Sequence, residues 1–174
     1  MYYADLTPCS YGSGRESPLI PEKWQVPLLA VGWLDRGHGH PQGEAPPELR
    51  PALLEMIESA RSLFSHLGYR GLHTCSFCLA DGVTERIATS RVNLLIPGDG
   101  VVWAATGGIL HYLDAHAYLP PQPFIEAAVA CPEYGSPAWF AALTETNAGV
   151  QPPVRLTSDW LAELRARPAA RKES

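Results

Sequence analysis

Cys75 and Cys78 stand three positions apart in the stretch HTCSFC, directly after His73 and Thr74. Two thiolates at C-x2-C spacing can face one ion, because a knuckle-like turn carries both sulfurs to the same side. A structural zinc takes four tetrahedral ligands, so a second pair must come from elsewhere in the chain. His111 and His116 in HYLDAH supply the right atom types and complete a C-x2-C…H-x4-H pattern. The 32 residues between the two pairs make a far longer gap than that of a zinc finger. On a regular helix, residues five apart are rotated by roughly 140°, so both imidazoles meet one ion only if the helix tightens or ends between them. Pro120 and Pro121 follow closely, which makes a frayed or 3₁₀ last turn the expectation. Should the helix continue regularly, one histidine drops out and the fourth ligand comes from His73, His38, His40 or Asp35.

Other chemistry competes with a metal site at these residues. As a plain alternative, Cys75 and Cys78 are reduced thiols at a strand end, His111 is held in a core hydrogen bond and His116 is solvated. A redox C-x-x-C wants its first cysteine at a helix N-terminus. The following LADG reads as loop or strand, so redox chemistry ranks below metal. The zinc deaminase pattern fails, since no H-x-E is present and Thr74 rather than proline precedes Cys75; H-E-x-x-H is absent too. A closed site is therefore favoured over a catalytic one. Asp35, with His38 and His40 nearby, offers an acid–base pair or a second metal site. An Asx-turn leaving a strand, with the histidines in solvent, is the preferred reading. YGSGRES at 11–17 lacks the strand and the Lys-Ser/Thr of a phosphate loop, and no G-x-S-x-G elbow exists.

The elements that must position these groups follow from periodicity and punctuation. LLAVGWL at 28–34 reads as a buried strand, and DRGHGHPQGEAPP after it as a loop. Leu49, Leu53, Met56, Ile57, Ala60, Leu63, Phe64 and Leu67 form one helical stripe that starts near Pro47 and stops at Gly68. GLHTCSF and VTERIATS are strand candidates. RVNLLI and VVWAA flank PGDG and predict a hairpin, Asp99-Gly100 supplying the positive φ. Helices are predicted over 107–119, in QPFIEAAVA, in SPAWFAALTE and in TSDWLAELRARP. Trp33, Trp103 and, more weakly, Trp139 and Trp160 read as core. The expectation is an α+β fold: a small antiparallel sheet packed against helices, with a zinc-knuckle-like turn. Residues 1–27 are expected to be irregular, 28–166 to form one domain, and 167–174 to fray.

Composition bounds the rest. The chain has 174 residues, 46% hydrophobic and 18% charged, enough apolar material for a real core. With 13 Lys+Arg against 18 Asp+Glu the net charge is −5, and no basic cluster precedes the terminal RARPAARKES, which argues against nucleic acid. No apolar run is long enough to span a membrane, and the N-terminus lacks the pattern of a secretory signal. A cytoplasmic, reducing location is expected, where paired cysteines are more often ligands than disulfides.

ADLTP, VGWLD…H, HTCSFC, GVVWAA and ILHYLDAHAYLPPQPFIEAA, in that order, resemble a family of small bacterial proteins of unknown function over residues 4–130. Cys9 stands where that pattern has tyrosine, and GHGHPQG leaves open whether His38 or His40 is the loop histidine. The resemblance implies that Asp35, Cys75, Cys78, His111 and His116 belong to the family's motifs, and it brings no activity.

The expected function is a Zn²⁺ protein with a structural site of Cys75, Cys78, His111 and His116, acting as a protein-binding or adaptor module. From charge alone, an immunity-type inhibitor of a basic toxin fits. One alternative is a zinc hydrolase with three protein ligands and Asp35 or His38 as general base. The other is a metal-free C-x-x-C thiol protein with a reactive Cys75.

Overall fold

The computed structural model describes residues 2–10, 25–63, 73–82, 89–90 and 92–147. The expected helix in TSDWLAELRARP, the YGSGRES segment, Trp24, Trp160, the Gly68 stop and most of VTERIATS lie outside those residues.

Chain order is β1 (Leu28–Val31), α1 (Leu49–Leu63), β2 (His73–Thr74), α2 (Ser76–Ala80), β3 (Thr89–Ser90), β4 (Asn93–Pro97), β5 (Val102–Thr106), α3 (Ile109–His116), α4 (Gln122–Val129) and α5 (Pro137–Thr146). The class is α+β as expected. The main sheet has order β1-β5-β4. The β4–β5 hairpin is antiparallel, with Pro97 opposite Val102 and Gly100 at φ +64° in the connection. The sheet is mixed rather than wholly antiparallel, because β1 joins β5 in parallel, Leu28 opposite Val102 and Val31 opposite Ala105. A parallel partner needs a long crossover, and α1 with the segments around the cysteines forms it. β2 and β3 make a separate two-stranded antiparallel sheet.

Every residue of β5 is buried, as befits a central strand with both faces covered. α1 presents Leu49, Leu53, Met56, Ile57 and Ala60 to the interior, the predicted stripe. It packs against β4, α3 and α4. Phe124 of α4 is fully buried, its ring edge-on to Trp103. Trp33, Trp103 and Trp139 are all core residues.

An unpaired strand edge is a template for aggregation, and both edges here are covered. Along β1, the N-terminal segment adds backbone bonds from Leu6 N–H to Ala30 O and from Cys9 N–H to Leu28 O. Along β4, the Tyr134 hydroxyl accepts from Leu95 N–H at 3.1 Å, and the Trp139 indole donates to Leu95 O at 3.1 Å. Tyr134, just ahead of α5, and Trp139 within it thus stand in for a fourth strand with two side chains.

Two local expectations are corrected. Of GLHTCSF, the described residues are strand at His73–Thr74 only, after which the chain turns into α2. α3 ends in a widened turn rather than a tightened one. The Ala117 N–H reaches back five residues to Tyr112 O, and Ala117 itself is left-handed at φ +48°.

Candidate metal centre

Cys75 is the N-cap of α2. Its sulfur accepts from the Cys78 N–H at 3.5 Å, so the C-x2-C spacing serves as both helix cap and thiol pair. That contradicts the expected loop or strand at this point. Both cysteines are buried and neither is in a disulfide.

α3 brings the histidines. Ile109 at its start lies against Gly32, where an added Cβ would stand 3.0 Å from the isoleucine side chain. Gly32, at φ +74°, therefore lets α3 approach the end of β1. The Arg50 guanidinium makes a double hydrogen bond to Asp114, 2.9 Å at each oxygen, and ties α3 to α1. Tyr112 is buried on the inner face, and its hydroxyl donates to Leu34 O at 3.5 Å.

The widened end of α3 answers the rotation problem. A turn closed by an i→i−5 bond holds more residues than an α turn, so His116 swings round toward the side of His111. Their Nε2 atoms are 3.2 Å apart. Cys75 Sγ lies 3.2 Å and Cys78 Sγ 3.5 Å from His116 Nε2, and Cys78 Sγ is 3.3 Å from His111 Nε2. All four ligand atoms fall within 4.8 Å of one another. Tetrahedral zinc with ordinary Zn–S and Zn–N bonds sets ligand edges of about 3.4 Å for N–N and about 3.6 Å for S–N. The observed edges sit close to those values, so the donor set fits one small ion with two sulfurs and two nitrogens.

The electrostatics suit the same occupant. Burial pushes the His111 imidazole below its ordinary pKa, with Asp114 opposing. His116 is lowered first by burial and then by the neighbouring His111 and His40. Both rings therefore favour the neutral form that offers a lone pair. Burial and then Cys75 raise the Cys78 thiol. The buried Cys78 thiol thus resists ionising without a cation, and a divalent ion would relieve that resistance.

The reserve ligands are elsewhere. Asp35 Oδ1 accepts from Gly37 N–H at 2.9 Å, the Asx-turn preferred from sequence. This bond, with further help from Ser76 and His38, holds its carboxyl below the usual range. His38 is half-exposed and stacks on Tyr2, with centroids 3.7 Å apart. His73 lies in β2. His40 comes close to the cluster without joining it, its Nε2 lying 3.2 Å from His116 O.

Three supporting residues escaped the sequence reading. Phe77, between the cysteines, packs on His116 at 4.9 Å and on the edge of His40 at 5.3 Å; its place inside the C-x2-C turn was the available signal. Ser76 Oγ accepts from Arg36 N–H at 2.8 Å, docking the turn after Asp35 onto α2. Asp5 accepts from the buried Tyr118 hydroxyl at 2.7 Å and from Gly32 N–H at 3.0 Å; no local pattern announces such a long-range bridge.

A family described as a domain of unknown function, DUF7919, matches residues 1–129. No curated protein and no solved structure matches the chain.

Proposed function

Since the chain belongs to the DUF7919 family, whose matched span contains all four convergent residues, we propose that it is a zinc protein with a closed, structural Cys2His2 site. Cys75, Cys78, His111 and His116 are the ligands. Bound zinc supplies a cross-link between α2 and the end of α3, beside the ring contacts of Phe77 with Tyr112 and His116. The observation that carries this reading is the mutual approach of four ligand atoms within 4.8 Å. Four protein donors fill a tetrahedron and leave no position for a reacting water. The hydrolase alternative also lacks its base, because the Asp35 carboxylate is engaged in its own turn and His38 is stacked on Tyr2.

The protein then acts as a binding module, its zinc end shaping a surface for another protein in a reducing compartment. The charge of −5 suits a basic partner, an immunity-type role being one form of this.

Elemental analysis of the purified chain tests the metal, with one zinc per chain expected. Cobalt substitution tests closure: the spectrum should be that of tetrahedral S2N2 and should ignore added azide or cyanide. A metal-free protein that melts like a zinc-supplemented one overturns the proposal. A spectrum that shifts with added anion returns the hydrolase reading.

A further inference from the structure

The end of α3 is not self-supporting. His116 is its last residue, Ala117 is left-handed without being glycine, and the His116 carbonyl has passed beyond the helix's own donors. The segment after Asp35 closes this end. His40 Nε2 sits 3.2 Å from His116 O. Next to it, Leu119 N–H donates to Pro41 O at 3.0 Å and Gly43 N–H donates to Ala117 O at 2.9 Å. Gln42 and Tyr118 form an antiparallel bridge within the same strip. The His40 ring is half-buried and is fixed edge-on against Phe77 at 5.3 Å and near Tyr118 at 6.1 Å. A ring held on two sides has little freedom to aim elsewhere.

We infer that His40 is a positioning residue for the metal centre: its Nε2–H donates to the His116 carbonyl and holds the widened turn that turns the His116 imidazole toward His111. The inference rests on the zinc reading above and extends it to a residue that is not itself a ligand. Outer hydrogen bonds that orient metal-binding histidines are worth about tenfold to hundredfold in metal affinity. Here the bond acts on the ligand's backbone, at the position whose φ/ψ decides where the ring points. His38, two residues earlier, faces solvent and has no such part.

The test compares two variants of similar length that both lose the ring. His40→Gln keeps a donor near the Nε2 position, and His40→Met removes it. Zinc dissociation constants come from competition with a chromophoric chelator on the full chain. His40→Met should bind zinc about tenfold or more weakly than His40→Gln, with the cobalt spectrum of His40→Met shifted and the melting temperatures of the two metal-free variants alike. His38→Gln should match the parent. Equal zinc affinity and equal cobalt spectra in His40→Met and His40→Gln overturn the inference while leaving the zinc site standing. A parent chain that binds no zinc overturns both together.

Discussion

The two ends of this molecule are held by different physics. Around β5, Val102 to Thr106 are all buried, and α1, α4 and α5 pack onto the sheet with side chains such as Leu53, Ile96, Phe124 and Trp139. Around α2 the elements are a two-residue strand and a five-residue helix, and between residues 73 and 82 only Cys75 and Cys78 are buried among the side chains described. A five-residue helix cannot stand on propensity. The core end has apolar area to offset its chain entropy. Among the described residues, the other end offers two sulfurs, two imidazoles and the contacts of Phe77. On the proposed zinc reading, a small domain can leave one end with less apolar packing when a cross-link is built from side chains already there.

The sharpest way to break this contrast is to take away the proposed zinc. Each tenfold of free zinc above its dissociation constant contributes about 1.4 kcal/mol to the folded state. Cys78→Ser, or a strong chelator, should therefore lower stability by about 5.5 kcal/mol where zinc stands ten-thousandfold above that constant. Hydrogen exchange should localise the loss, with amides of residues 73–82 and 111–119 exposed first and those of β4 and β5 protected. A Cys78→Ser melt that overlays the parent's would erase the distinction between the ends.

The second test strikes the other end. Phe124→Ala removes a fully buried ring from between α4 and Trp103. It should cost about 3–5 kcal/mol in denaturant unfolding, with zinc content still one per chain. If Phe124→Ala instead released the zinc, the two ends would be one cooperative unit.

The smallest effect belongs to the link between them. The Arg50 hydrogen bond, and then its charge, hold the Asp114 carboxyl below its ordinary value. A carboxyl depressed in the folded state adds stability above its unfolded pKa, near about 3.9, and loses it as pH falls through the lower folded value. Asp114→Asn should thus lower the melting temperature slightly at neutral pH and converge with the parent in acid. The two side chains are 54% and 46% exposed, so water and salt screen the pair and keep the shift below the other two. A large shift at neutral pH would mean that α3 leans on α1 far more than its packing indicates.

The parts legible in the sequence were those written in local spacing. The α1 stripe follows from a 3.6-residue period, the hairpin from Asp99-Gly100, and the four clustered residues from C-x2-C and H-x4-H. What escaped depends on partners distant in the chain. Nothing in LLAV announces that VWAAT, not its neighbour in sequence, will pair with it in parallel. α2 was missed because a sulfur from Cys75 caps it, a role that residue type alone does not advertise. The turn at the end of α3 was misjudged because Ala117 adopts a conformation that alanine rarely takes; from outside the helix, Gly43 N–H holds its carbonyl and His40 holds that of His116. Asp35 and His38, plausible as chemistry, proved to serve a turn and a stacked surface ring.

The parallel pairing of β1 sets a timetable for the nascent chain. A ribosome makes β1 about seventy residues before β5, so the first strand must wait, edge open, through the synthesis of everything between. His116 then emerges ten residues after Thr106 completes the sheet. The thiols of 75 and 78 are older still, the nearer one preceding His111 by 33 residues. The sheet and the four residues of the proposed clasp are thus completed within the same short interval of synthesis, and until then the two cysteines wait without their imidazoles.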